Sequence, residues 1–224
     1  WMPQMRHSLQ GGKMKYQPLI WAIMTHGLKP ELQKRWQGDV KEVIRKSKPI
    51  YKDLLTKVEG ISDKNPMAHN ITTAFVIIAV WLASDREISP DVMGDAVNAM
   101  LDSGFLKAIM GMVNMNAEKG VRFLKNNIKK SAAYAEKHPE EYNTWKFVFD
   151  DSLHKDGFYY HFTFCPIADF CSRYGYQEIM PALCNIDYVT IGMMHSVLKR
   201  EHTIASGGDI CDYWIYGDKV KDPQ

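Results

Sequence analysis

The sequence predicts an α+β fold, in which a helical N-terminal half packs on a C-terminal four-stranded antiparallel sheet with an inserted helical pair. Two observations lead to this prediction. Apolar residues recur with a helical period from residue 17 to residue 137, and alternating strand patterns follow from residue 145 onward. Because the order is helices, then strand, strand, helix, strand, strand, we expect an antiparallel sheet.

Glycine, proline and capping residues mark where the N-terminal helices begin and end. Gly27 is expected to close a first short helix, and Pro30 to lie in the first turn of the next one. Pro49 is expected to break or kink the helix that follows. Asn65-Pro66 and Ser89-Pro90 each place a capping side chain before a proline and therefore predict two more helix starts.

Two further segments of this half also predict helix. The apolar run Ile71 to Ala83 is shorter than the roughly 20 residues that a membrane span requires, so it predicts a buried helix. The segment Phe105 to Lys137 predicts helix with a basic face that is solvated.

The C-terminal part predicts four strands and two helical stretches. Residues 145–149 and 158–164 alternate, with a turn at Asp156-Gly157 between them, which is typical of a β-hairpin. Helix is expected over residues 166–174 and 177–195, and strands near residues 197–203 and 210–216. We therefore divide the chain into a tail at residues 1–13, a helical segment at residues 14–143 and an α+β catalytic segment at residues 144–218, the last two forming one domain.

Composition limits the function. The 28 basic and 26 acidic side chains nearly cancel, and no basic block is interleaved with aromatic residues, which argues against nucleic acid as a partner. No signal peptide or membrane segment is recognisable. The four cysteines include no CxxC pair and do not resemble a secreted disulfide framework, which favours the cytoplasm. We expect a small-molecule partner.

The strand at residues 158–164 sorts its side chains onto two faces. Phe158, Tyr160, Phe162 and Phe164 fall on one side and look like core, whereas His161 and Cys165 fall on the other side with Tyr159 and Thr163. Cys165 comes directly before Pro166, where a helix is expected to begin. Free amide N–H groups at such a junction favour a thiolate or an oxyanion.

Three other positions are candidates for the same site. Cys184 and Asp187 are three residues apart and share a helix face. Cys211 lies on the last predicted strand, after the turn Gly207-Gly208-Asp209. Taken singly, each cysteine is more often a small core residue, each glycine pair a turn, and each histidine, here His161 and His202, an ordinary strand residue. The residues alone predict a thiol-rich pocket in an α+β domain.

The landmark residues resemble one family. These landmarks are Thr163-Phe164-Cys165-Pro166-Ile167, Gly175, Leu183-Cys184-Asn185-Ile186-Asp187-Tyr188 and the run from Arg200 to Tyr213. Through them the chain resembles the L-2-amino-thiazoline-4-carboxylate hydrolase family over about its last 75 residues. Matched position by position, the pattern includes Cys165, Cys184, Asp187, Thr203, Gly207, Gly208, Asp209 and Cys211. Cys171 is outside it.

The resemblance implies a hydrolase that opens a cyclic amidine and converts the aminothiazoline carboxylate to N-carbamoyl-cysteine. In this interpretation Cys184 or Cys165 attacks the C=N carbon, Asp187 transfers the proton, and water completes the reaction without a cofactor. Thr203 and the Gly207-Gly208 amides hold the substrate carboxylate or the developing charge. Cys211 is a further catalytic residue in this interpretation, and Asp209, His161 and His202 are expected to bind substrate. The two histidines are also the imidazoles available to favour a thiolate.

Two other functions remain open at this point. Cys165, Cys184 and Cys211 could bind a metal with Asp187 or a histidine, although their spacing lacks the short ligand loop of structural zinc sites. A non-catalytic sensor domain could also use an aromatic, thiol-rich pocket to bind a small molecule. The sequence does not predict the oligomeric state.

Overall fold

The computed structural model describes residues 14–102 and 104–224, so the tail predicted at residues 1–13 lies outside the described residues. Its α+β architecture confirms the predicted fold class. Six helices come first: α1 (Pro18–Arg35), α2 (Val40–Thr56), α3 (Ala68–Ala83), α4 (Pro90–Leu101), α5 (Gly104–Met110) and α6 (Glu118–Lys137). Among the described residues, no helix combines the length and the apolarity needed to cross a membrane.

The predicted buried helix is confirmed as α3, the centre of the helical half. Its central residues, from Ala74 to Trp81, are all buried. Ser89 caps α4 as predicted, because its side chain accepts a hydrogen bond from the Val92 N–H. The side chain of Asn65 accepts from the Met67 N–H at 2.9 Å, so it shapes the turn that leads into α3.

The predicted helix boundaries at Gly27 and Pro30 are wrong, and α2 is not broken at Pro49. Helix α1 runs without interruption through Gly27 and Pro30, and α2 runs through Pro49. The missing proline N–H is tolerated in α1 because Leu28 and Leu32 anchor both sides of Pro30 in the core, each with no exposed surface. Gly27 serves packing instead: a Cβ there would lie 2.7 Å from Cγ of Met100 on α4.

The C-terminal part contains four strands and three helices: β1 (Lys146–Phe149), β2 (Phe158–Phe164), α7 (Pro166–Tyr174), α8 (Met180–Cys184), α9 (Ile186–Gly192), β3 (Ser196–Lys199) and β4 (Cys211–Gly217). The strand order is β1-β2-β4-β3 and every neighbouring pair is antiparallel. The hairpin of β1 and β2 is confirmed, although residues 150–157 form a longer connection than the predicted turn. The helix predicted over residues 177–195 is divided into a 3-10 turn, α8 and α9.

A buried carboxylate joins the helical half to the start of the sheet. Glu141 is 5% exposed and accepts hydrogen bonds from Oγ of Ser62 at 2.5 Å and from Nδ2 of Asn65 at 2.7 Å. Both donors precede α3, whereas Glu141 precedes β1.

Helix α7 also packs on α3. The rings of Phe75 and Phe170 pack at 4.5 Å and bring α7 onto the same core. Helix α7 is thereby fixed on α3.

Candidate active site

The helix-facing side of the sheet supplies the first residues of the site. Cys211 pairs with Phe162 across β4 and β2, and Tyr213 pairs with Tyr160, so these four side chains share one face. The rings of Tyr213 and Tyr160 stack at 5.0 Å. Cys211 and Tyr213 therefore lie on the same face of β4, and this face is directed into the core.

Cys165 lies at the N-terminus of α7, as predicted, but not on the predicted side. It follows the end of β2, and its backbone turns into the helix before Pro166. Cys165 packs against the core cluster that contains Cys211, so its sulfur lies on the helix-facing side of the sheet and not with His161. Strand alternation ended at Phe164 because Cys165 is no longer part of the strand.

Cys184 and Asp187 lie on either side of the junction between α8 and α9. Cys184 ends α8, Asn185 connects the two helices, and Asp187 is in the first turn of α9. The Asp187 carboxyl is surrounded by protein, yet 35% of its side-chain surface is exposed. The exposed surface area shows that the carboxyl is partly accessible to solvent.

Arg200 and Tyr213 hold the Asp187 carboxylate. Nη1 of Arg200 donates to Oδ2 of Asp187 at 2.9 Å, and the Tyr213 hydroxyl donates to the same oxygen at 2.6 Å. Nη2 of Arg200 also donates to the Cys184 carbonyl at 2.7 Å. The guanidinium thus fixes both the carboxylate and the backbone of the neighbouring cysteine, and its side chain is only 3% exposed.

The three predicted thiols and Asp187 are close enough to act on one another electrostatically. The charges of Cys165, Asp187 and Cys211 all raise the pKa of the Cys184 thiol, and the charge of Arg200 lowers it. Cys171 is different, because only Cys165 and Cys184 act on it and it has no exposed surface. Cys165 and Cys184 pack against the hydrophobic core that contains Cys211, so the three thiols and Asp187 lie within electrostatic range of one another.

Burial dominates the protonation of these thiols. It raises the pKa of Cys165 to about 11 and that of Cys184 to about 12, and it also raises the pKa of Cys211. The amides of Ala168 and Ile167 lower the pKa of Cys165, as expected at a helix N-terminus, but burial outweighs them. All three sulfurs are therefore protonated thiols near neutral pH.

Burial and the neighbouring polar groups shift the pKa of the Asp187 carboxyl in opposite directions. Burial raises its pKa, whereas the hydrogen bond from Tyr213 and the charge of Arg200 lower it. The net effect is a raised pKa, which makes the carboxylate a stronger proton acceptor than an exposed aspartate. Oδ1 of Asp187 makes no hydrogen bond within the described part of the chain, so it remains open to a ligand.

The loop between β3 and β4 covers Cys211 and uses its own polar groups internally. The Thr203 hydroxyl accepts from the Ser206 N–H at 3.1 Å, and the Gly208 N–H donates to the Thr203 carbonyl at 3.0 Å. Gly207 adopts a φ of +89°, which glycine permits. The Ile204 N–H donates to Sγ of Cys211 at 3.1 Å. Thr203, Gly207 and Gly208 thus shape the loop.

Three predicted binding residues lie apart from the thiols. His161 is on the opposite face of β2, where Tyr159 is its hydrogen-bond partner at 3.4 Å. His202 is exposed and its main-chain N–H donates to the buried Asp212. Asp209 is exposed in the loop. His161 and His202 therefore cannot be the imidazoles that activate a thiol, because the sheet separates His161 from the thiols and His202 faces solvent.

Sequence reasoning missed Arg200 and Tyr213 as site residues. Tyr213 shares a strand face with Cys211, so the alternation of β4 already placed it on the correct side. Arg200 follows β3 by one residue and continues the alternation of Ser196 and Leu198, which are both buried. A basic residue at an inward position of a strand requires a buried acidic partner, and Asp187 is that partner.

A surface recess of about 480 Å³ lies beside the site. Its lining includes Tyr188, Val189 and Gly192 of α9 and Asn98 and Ala99 of α4. Tyr188 also lies over the Arg200 guanidinium, with 4.8 Å between Cζ and the ring centre. Tyr188 therefore contacts both the recess and Arg200.

The described residues contain no group of three or more His, Cys, Asp or Glu side chains arranged to hold a metal ion. A family model described as L-2-amino-thiazoline-4-carboxylic acid hydrolase matches residues 68–215 of the chain. This match spans α3 through most of β4 and includes the thiols, Asp187, Arg200 and Tyr213. No curated protein and no solved structure matches the chain.

Proposed function

The chain belongs to the L-2-amino-thiazoline-4-carboxylic acid hydrolase family, and we propose that it opens the ring of this cyclic amidine at the Cys184–Asp187 site. The observation that supports this most strongly is the convergence of three thiols on a carboxylate held by Arg200 and Tyr213. The site combines a nucleophile, a proton acceptor and a cation in one partly enclosed place.

Asp187 binds the amidine end of the substrate. A protonated amidine presents N–H donors around a positively charged carbon, and a carboxylate is their natural acceptor. Oδ2 of Asp187 is already occupied by Arg200 and Tyr213, whereas Oδ1 is open. The accessible carboxylate therefore orients the electrophilic carbon toward the thiols.

Cys184 is the nucleophile. It lies three residues before Asp187, and the charge of Arg200 favours its thiolate. Because its pKa is raised to about 12, the thiol must lose its proton as the new bond forms, and not beforehand. Asp187, with its raised pKa, accepts that proton.

The reaction then balances as follows. The Cys184 sulfur bonds to the amidine carbon, the ring carbon–sulfur bond breaks, and the ring sulfur leaves with the proton held by Asp187. Water next attacks the same carbon, the bond from this carbon to the Cys184 sulfur breaks, and the water oxygen becomes the carbonyl of N-carbamoyl-cysteine. One proton of the water returns to the Cys184 sulfur and the other goes to the former C=N nitrogen. Both substrate nitrogens therefore stay in the product, and the C=N bond becomes a single bond.

Turnover of L-2-amino-thiazoline-4-carboxylate tests this proposal, with the new product thiol as the readout. We expect Cys184→Ala and Asp187→Asn to lower kcat/KM by at least about a hundredfold. Cys171→Ala is the matched control, because it removes a buried thiol that the charge of Asp187 does not reach, and we expect it to keep activity within a few-fold. Loss in Cys165→Ala with activity retained in Cys184→Ala would transfer the nucleophile to Cys165. Turnover retained in both Cys184→Ala and Asp187→Asn would refute the site.

A further inference from the structure

Arg200 has an unsatisfied donor in a nearly fully buried position. Its side chain is 3% exposed, and two of its three nitrogens donate to Asp187 and the Cys184 carbonyl. The third nitrogen, Nε, is buried and has no hydrogen-bond partner. Buried charged donors are rarely left unpaired, so the free Nε–H indicates a partner that arrives with a ligand.

The chemistry of that partner follows from the guanidinium. The Nε–H lies on one edge of the planar guanidinium, beside Nη2, which donates to the Cys184 carbonyl. Nη1, on the far side, is engaged by Asp187 and the Tyr213 hydroxyl. The Nε–H is therefore the open donor of this cation, and it is suited to one oxygen of an anion such as a carboxylate.

Charge complementarity selects one orientation of the substrate. A 2-amino-thiazoline-4-carboxylate carries a positive amidine at one end of its ring and a negative carboxylate at the other. Asp187 and Arg200 present the opposite charges, and they lie 2.9 Å apart. One small ring can contact both of them.

The competing carboxylate site is the loop at residues 203–208, and the donors expected to bind the carboxylate there, the Thr203 hydroxyl and the Gly207 and Gly208 amides, already have partners within the loop. The Thr203 hydroxyl pairs with Ser206, and the Gly208 N–H pairs with the Thr203 carbonyl. Lys199, the cation adjacent in sequence, lies over Trp214 on the opposite face of the sheet. Arg200 is the cation that touches Asp187.

We propose that Arg200 binds the carboxylate of the substrate through its Nε–H edge and restricts the enzyme to cyclic amidines that bear this group. The inference rests on the proposed function, because it assigns the second end of the same substrate. Arg200 is in this account a specificity-determining residue as well as the residue that positions Asp187.

The test compares two substrates in three proteins. The substrates are L-2-amino-thiazoline-4-carboxylate and 2-amino-thiazoline, which lacks the carboxylate, and the proteins are wild type, Arg200→Lys and the control Lys199→Gln. We expect wild type and Lys199→Gln to prefer the carboxylate by about a hundredfold or more in kcat/KM. In Arg200→Lys both rates fall, since Asp187 is also disturbed, but we expect the preference to shrink to about tenfold or less. An undiminished preference in Arg200→Lys would overturn the inference.

A binding measurement keeps the inference testable without turnover. Thiazolidine-4-carboxylate has the ring and the carboxylate but no C=N bond, so it binds without reacting. We expect Arg200→Lys and Arg200→Gln to weaken its Kd by at least about tenfold, and Lys199→Gln to leave it unchanged. Equal affinity in wild type and both Arg200 variants would refute the role of Arg200. Arg200-dependent binding in a wild type that opens neither amidine would instead refute the proposed function alone.

Discussion

Replacing Tyr213 with Phe removes one hydroxyl from the centre of the site and little else. The hydroxyl donates to Oδ2 of Asp187 at 2.6 Å, whereas the ring stacks on Tyr160 and packs against Phe162. A hydrogen bond to a charged group contributes about 1.5–3 kcal/mol. If that stabilisation is needed to hold Asp187 in its reactive orientation, kcat/KM falls by about tenfold to a hundredfold.

The pH dependence of kcat/KM in the Tyr213→Phe variant provides a second, independent test. In the proposed mechanism activity requires ionised Asp187, so we expect it to be lost as pH falls through the pKa of this carboxyl. The Tyr213 hydrogen bond lowers that pKa, and its removal raises it. The acidic limb of the kcat/KM profile should therefore move to higher pH. Tyr160→Phe is the matched control, because its ring lies in the same stack and no hydrogen bond joins it to Asp187 in the described residues. An unchanged rate and an unmoved acidic limb in Tyr213→Phe would refute the reasoning.

The remaining predictions concern the thiols and the buried carboxylate. With the pKa of Cys184 raised to about 12 from an ordinary 9.0, its alkylation by iodoacetamide should keep rising with pH from 7 to 10, and a plateau below pH 9 would contradict the burial argument. The raised pKa of Cys184 gives a contribution to folding stability that is fully present below pH 9 and is lost as pH rises through about 12. Cys184→Ser should therefore show a smaller loss of thermal stability between pH 8 and pH 10.5 than wild type. Glu141→Leu should lower the free energy of unfolding in urea by roughly 1–3 kcal/mol, because Asn65 loses a buried acceptor. Glu141→Gln keeps an acceptor and should cost less; an equal loss in both would count against this explanation.

The fold class was predictable because its signals are local. The apolar run at Ile71–Ala83 and the alternation at Phe158–Phe164 each predict the element that forms. The boundaries at Gly27, Pro30 and Pro49 were wrong because tertiary packing decided them. Leu28 and Leu32 hold α1 together across the proline, and no local pattern identifies their partners.

The site was predictable to a lesser degree. The thiols and Asp187 could be listed from the family resemblance, and the face of Cys211 from alternation. The protonation state of Cys165 could not be predicted. A thiolate was expected, but burial in the folded core raises the pKa of this thiol. The place of Arg200 in the site could not be predicted for a related reason, because it depends on a contact with Asp187, which is 13 residues away in sequence. Contacts between separated segments cannot be derived from the spacing within either one.

A crystal structure of the Asp187→Asn variant with L-2-amino-thiazoline-4-carboxylate tests the central claim most directly. The account predicts that the ring lies between the side chain at position 187 and the Cys184 sulfur, with the amidine carbon in contact with that sulfur. A substrate bound in the recess between Tyr188 and Asn98, away from the three thiols, would contradict it.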